Sequence, residues 1–148
     1  MNVNSNGYTY TFATVMVVLV AVLLSGASLG LKSKRESNVK QEKMQSILAS
    51  VGVAVDRSQA QAAYDEVITK VLTIKGGEVV SEDRETGFNV DMAKAIKSSN
   101  MEREVPLYVA NKDGESFFIV PMRGKGLWGP VWGFVSLKAD GNTVVGAN

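Results

Sequence analysis

The chain has 148 residues, with 16 Lys and Arg against 15 Asp and Glu, and it contains neither cysteine nor histidine. Disulfides, thiolate zinc sites, iron–sulfur clusters, imidazole metal sites and every His-based catalytic triad are therefore excluded within it. A formal charge of +1 gives no electrostatic footprint for nucleic acid, so no nucleic-acid partner is expected.

The charges are unevenly placed, and the first is Lys32. Residues 12–31 read FATVMVVLVAVLLSGASLGL. At ~1.5 Å per residue this run reaches roughly 30 Å, the thickness of a hydrocarbon core. Tyr8, Tyr10 and Phe12 stand where a headgroup belt would lie, and Lys32, Lys34 and Arg35 end the run. A cleaved signal peptide is the rival reading, since Ser25-Gly26-Ala27-Ser28 supplies small residues. That reading wants basic residues ahead of a shorter apolar core, and the sequence has neither. Residues 1–35 are thus expected to be a retained single-pass anchor, with residues 36–148 as the soluble part. Basic residues only on the C-terminal flank favour a cytoplasmic soluble part.

Beyond the anchor, Met44, Ile47, Leu48 and Val51 fall at helical spacing, and Gly52 is a stop. Asp56 and Ser58 are N-cap candidates for a second helix reaching about Glu66. The β-branched run from Val67 to Ile74, followed by Gly76-Gly77, predicts a strand, a turn and a short strand over residues 78–81. Residues 82–100 read as a polar surface excursion with one short helix, residues 92–97, capped by Asp91. The Ser81–Glu85 charge run reads as a solvated face.

Four strands are predicted after that, over residues 105–110, 116–122, 132–138 and 143–145. Asp113-Gly114 and Asp140-Gly141 mark hairpins between the first and last pairs. The soluble part is therefore predicted to be α+β with an antiparallel sheet and flanking helices. A meander that ends on a short edge strand leaves that edge unpaired. The chain is expected to be the N-terminal part of a longer domain, or one whose other half lies elsewhere.

The middle strands are joined by Arg123-Gly-Lys-Gly-Leu-Trp-Gly-Pro-Val131. Its G-x-G-x-x-G pattern lacks the following helix that would hold a pyrophosphate, so the dinucleotide reading fails. Two readings of the loop remain open on the residues alone. It is a tight strand crossover plugged by aromatics, or it is the wall of a pocket for a flat cofactor, with glycine allowing close backbone approach and tryptophan supplying a broad apolar face.

Residues 119–135, running from Ile119-Val-Pro-Met through this loop to Trp132-Gly-Phe-Val, resemble the C-subunit family of the sodium-translocating NADH:quinone reductases. The resemblance covers essentially the whole chain, and the segment Val71–Glu78 supports it weakly. Related domains occur in the G-subunit family of the ferredoxin:NAD electron-transport complex. The resemblance implies an FMN-carrying electron-transfer subunit of a membrane complex that oxidises NADH, reduces quinone and pumps sodium. Other subunits and the membrane are its implied partners, NADH itself binding elsewhere in the complex. The soluble domain would face the periplasm, against the charge rule. The resemblance implies Gly126, Leu127, Trp128 and Trp132 as flavin-contacting residues, with no catalytic side chain and no metal ligand. The family attaches FMN to a threonine in a Ser-Gly-Ala-Thr type motif, which would lie beyond residue 148. The lookalike Ser25–Ser28 sits at the end of the apolar run and reads as a small-residue helix face. A membrane-tethered scaffold without redox activity is the alternative.

Overall fold

The computed structural model describes residues 5–148. The chain divides into two compact units after Val39, each described separately below. Helix α1 (Asn6–Ser50) supplies the whole of the first unit's regular structure and continues into the second. From Thr9 to Val39 every residue is exposed, and this stretch holds an apolar window long enough to cross a membrane by length and composition. Tyr8 and Phe12, one helical turn apart, stack with ring centroids 6.2 Å apart.

In the second unit, α1 buries Met44, Ile47, Leu48 and Ser50, and Val51 follows them into the core. The helix stops as predicted, with Gly52 in the left-handed region (φ 74°). A 3-10 turn (Arg57–Gln59) leads into α2 (Ala60–Val67). Asp56 precedes that turn without a side-chain cap, and Ser58 lies inside it, so neither acts as the expected N-cap. Strand β1 (Ile68–Lys75) begins where helical spacing gives way to β-branched residues, and the Gly76-Gly77 turn returns the chain into β2 (Glu78–Ser81).

Residues 82–100 are not merely a surface excursion. Asp83 caps an unpredicted helix, α3 (Arg84–Asn89), by accepting from the Thr86 N–H. This helix buries Gly87 and Phe88. The charge run is correspondingly engaged: Arg84 pairs with Asp65 at 2.9 Å, donates to the Tyr64 carbonyl and lies 4.8 Å from the Tyr64 ring centroid. Helix α4 (Met92–Ala95) is capped by Asp91, as its sequence predicts, and ends two residues early.

Strands β3 (Glu104–Lys112), β4 (Glu115–Gly126), β5 (Gly129–Lys138) and β6 (Val144–Ala147) complete a six-stranded antiparallel sheet of order β2-β1-β3-β4-β5-β6. Asp113 (φ 54°) and Gly114 (φ 81°) make the β3–β4 turn, where left-handed backbone is required at both positions. The core lies on one sheet face. There Val71, Tyr108, Ile119 and Phe134 meet Ile47, Leu48, Tyr64 and Phe88 from the helices. Ser136, fully buried on β5, donates from its hydroxyl to the Ser50 carbonyl at the end of α1. The α+β architecture, with an antiparallel sheet and flanking helices after a long N-terminal helix, agrees with the sequence reading.

Candidate functional site

The glycine-rich segment is neither a crossover nor a loop. Strands β4 and β5 stay paired through Arg123↔Trp132, Gly124↔Val131, Lys125↔Pro130 and Gly126↔Gly129. Only Leu127 and Trp128 remain to make the turn. Neither takes a positive φ, and the unusual backbone falls on Gly129 (φ 146°), where glycine is needed. Strand β6 pairs with β5 from Val135 onward, and Asn148 extends that contact as far as Phe134. Pro130 therefore lies on a free stretch of sheet edge, a position that tolerates its missing N–H.

Alternation along the ladder sorts these residues onto two faces. Arg123, Lys125, Pro130 and Trp132 continue the face that carries Phe134 and the core. Gly124, Gly126, Gly129, Val131 and Gly133 lie on the opposite face. Nothing stands within 4 Å of where a Cβ on Gly124 or Gly129 would be, whereas one on Gly126 would meet Val131 Cγ2 and one on Gly133 the Asn148 carbonyl oxygen. An open, mainly apolar trough of about 500 Å³ lies along this part of the hairpin, lined by residues from both faces of the ladder. Met122, Arg123, Gly124, Val131, Trp132 and Gly133 line it, with Asn148 beside them. Asn148 is held in place, because it exchanges backbone hydrogen bonds of 2.9 and 2.7 Å with Phe134.

Of the four sequence-predicted residues, Trp132 lines the trough and is half-exposed. Leu127 and Trp128 project from the hairpin tip at 92% and 97% exposure, and Gly126 lies just outside the lining. The trough lining thus takes Trp132 from the core-side face and Met122, Gly124, Val131 and Gly133 from the opposite face, around the edge of the hairpin; Met122 and Val131 were not among the sequence-predicted residues. The available signal was the period-two spacing of Gly124, Gly126 and the later Gly129 and Gly133 about a two-residue turn. Arg123 contributes the charged side chain of the lining.

A smaller cleft of about 290 Å³ lies beside α3, where Tyr64, Asp65, Arg84 and Phe88 meet. Arg84 is committed there to Asp65 and to the Tyr64 carbonyl. Burial pushes the Tyr64 hydroxyl up to about 12, with Arg84 partly opposing the shift. This is a clip holding α3 onto α2. Among the described residues no group of three or more acidic, histidine or cysteine side chains could hold a metal ion.

No protein-family model matches the chain. It is 30% identical to the C-subunit of the Na(+)-translocating NADH-quinone reductase of Pseudomonas aeruginosa, over 98% of this chain and 63% of the relative. The corresponding C-subunit proteins of Yersinia pestis and Neisseria meningitidis serogroup A are 26% and 29% identical, over 98% and 97% of this chain and 62% of each relative. The chain thus spans less than two thirds of the length of these relatives. The crystal structure of the Na(+)-translocating NADH-quinone reductase C-subunit from Parabacteroides distasonis shares the fold, with a TM-score of 0.71 and 38% identity over 80% of this chain and 56% of that one. The resemblance read from residues 119–135 extends to almost the whole chain: it is a relative of the C-subunit proteins of the Na(+)-translocating NADH-quinone reductases in sequence and in fold.

Proposed function

We propose that the chain is the N-terminal part of an FMN-carrying electron-transfer subunit of a sodium-translocating NADH:quinone reductase. On this reading residues 1–35 anchor it in the inner membrane, residues 36–148 belong to a periplasmic FMN-binding domain, and its partners are the other subunits of the complex. The observation that carries the reading is the open apolar trough with bare backbone at Gly124. A planar ring needs close approach to backbone, and the open space above Gly124 permits it. The trough's apolar lining suits such a ring. When bound, FMN supplies the electron-transfer chemistry. Val131 and Met122 would bound a ring seated over Gly124, and Trp132, from the other face of the ladder, would line the trough's far rim. The Arg123 guanidinium would favour negative charge on a bound group, as a fixed cation does in an apolar setting. Gly126, Leu127 and Trp128 would act at the tip, against the part of the cofactor or partner that extends past the floor.

The test is an FMN titration of the isotopically labelled full chain in detergent, followed through backbone amide resonances. Millimolar FMN is expected to shift Gly124, Val131 and Gly133, and Gly124→Val is expected to abolish those shifts while the chain stays folded. No shifts in the native chain, or equal shifts in the variant, would overturn the assignment.

A further inference from the structure

Strands β4 and β5 end in a tip whose side chains do not suit water. Leu127 and Trp128 hold the two turn positions, where a hairpin ordinarily carries Asn, Asp or Gly, and both are almost wholly exposed. Met122, Val131 and Trp132 are exposed just behind them. The ladder holds as far as Gly126↔Gly129, so the tip is preformed and docking it orders little backbone. Charge around it has one sign. From Ser116 to Ala139 the charged side chains are Arg123, Lys125 and Lys138, with no acidic residue. Arg123 and Lys125 take part in none of the ion pairs among the described residues. Projecting apolar side chains that include tryptophan, beside unpaired cations, are the combination that seats a protein in the interfacial layer of an anionic bilayer.

The hairpin runs back along α1. Ser136 on β5 donates to the Ser50 carbonyl. Two residues earlier, Phe134 is bound to Asn148, whose side-chain amide donates to the Ser46 carbonyl, about one helical turn before Ser50. Followed from Ser136 toward Gly129, β5 thus retraces α1 from Ser50 toward Lys40, where this unit begins. The six residues from Phe134 to Trp128 carry the tip roughly 20 Å further in that sense, at ~3.3 Å each. Only eight residues lie between Leu31, the end of the apolar run, and Lys40, so chain length alone keeps the soluble unit within roughly 30 Å of a bilayer that holds the run. A surface held that close is met at high effective concentration. We propose that the β4–β5 tip docks on the membrane that holds the anchor. Leu127 and Trp128 enter the interfacial layer of an anionic bilayer, and Arg123 and Lys125 lie against lipid phosphates. The proposal rests on the anchor assigned above and is independent of the flavin.

The experiment reconstitutes the full chain, without FMN, in vesicles of phosphatidylcholine with phosphatidylglycerol and in vesicles of phosphatidylcholine alone. The chain has two tryptophans, so Trp132→Phe leaves Trp128 as the reporter. Its emission is expected to move to shorter wavelength in the mixed vesicles and to be largely lost when the lipids are brominated near the headgroup. Arg123→Gln with Lys125→Gln should reduce that quenching to the level seen in phosphatidylcholine alone. A chain carrying Trp128→Phe, Trp132→Phe and Asn142→Trp places the reporter at the opposite end of β5, where it should stay unquenched. Circular dichroism checks that each variant is folded. Trp128 quenched no more than the Asn142→Trp reporter would overturn the proposal and leave a protein or the cofactor as the occupant of the tip. Quenching that ignores both lipid charge and the paired Gln changes would overturn it as well. A chain that fails to float with the vesicles would overturn the anchor reading and this one with it, whereas one that floats with Trp128 unquenched counts against this one alone.

Discussion

Lys43 and Phe88 meet twice: the ammonium lies 4.4 Å from the Phe88 ring centroid and donates to the Phe88 carbonyl. The pair ties the end of α1 to α3. Burial pulls the Lys43 amine down to about 8, with Asp91 partly opposing the shift. Between about pH 8 and the ordinary lysine value of 10.5, the unfolded chain holds a proton that the folded chain has released, so stability rises with pH. Burial raises Tyr64 to about 12 and raises Tyr108 as well. Above the ordinary tyrosine value of 10.0 the unfolded chain loses protons that the folded one keeps, so stability falls. The denaturation midpoint is therefore expected to climb from about pH 8, turn over near pH 10 and then drop. Lys43→Met should flatten the climb and keep the drop. A native chain whose midpoint only falls above pH 8 would contradict this account.

Trp128 at the hairpin tip contacts too little to hold the fold together. Trp128→Ala is expected to change unfolding free energy by no more than about 0.5 kcal/mol, as at other surface positions. A core plug would instead cost roughly 3–5 kcal/mol. Denaturant titration of the two chains distinguishes the outcomes.

Gly87 behaves in the opposite way. A Cβ there would come 2.5 Å from Val71 Cγ1, in the packed layer between α3 and β1. Gly87→Ala is expected to cost about 1–3 kcal/mol, the range for overpacking a filled core. A variant as stable as the native chain in denaturant would mean that α3 shifts freely on the sheet.

Topology can be read with one introduced thiol, because the native chain has no cysteine. Asn142 is exposed at the β5–β6 turn and avoids the left-handed backbone of Asp113. Asn142→Cys is expected to react with a membrane-impermeant thiol reagent in intact cells if the soluble part is periplasmic. Labelling only after the membrane is broken would place that part in the cytoplasm, as the basic flank from Lys32 to Arg35 suggests.

The fold was legible wherever one side-chain period ran long enough to stand out. Met44, Ile47, Leu48 and Val51 announce a buried helix stripe, and Ile68 to Ile74 announce a strand closed by two glycines. Helix α3 was hidden because its six residues include a glycine and only one large apolar side chain, Phe88. Its packing against Val71 decides its conformation, and sequence spacing does not carry that information. The distal hairpin was hidden for a different reason. Glycine at positions 124, 126, 129 and 133 removes the alternation that identifies a strand, and Leu127-Trp128 lacks the usual turn residues. The unusual composition of the segment was visible while its hairpin shape was not, so Met122 and Val131 did not stand out as neighbours of Gly124.

The bond from Ser136 to Ser50 joins residues 86 positions apart. At a synthesis rate of roughly 5–20 residues per second, the end of α1 waits about 4–17 s before its partner on β5 exists. Through that interval Met44, Ile47, Leu48 and Val51 have nothing from β5 to cover them. Strands β3 to β6 form from nearest neighbours in the chain, through short loops that close quickly. Docking of the helix end onto the meander then closes the longer loop of the two, and substitutions at Ser136 or Leu48 are expected to act on that docking more than on strand pairing.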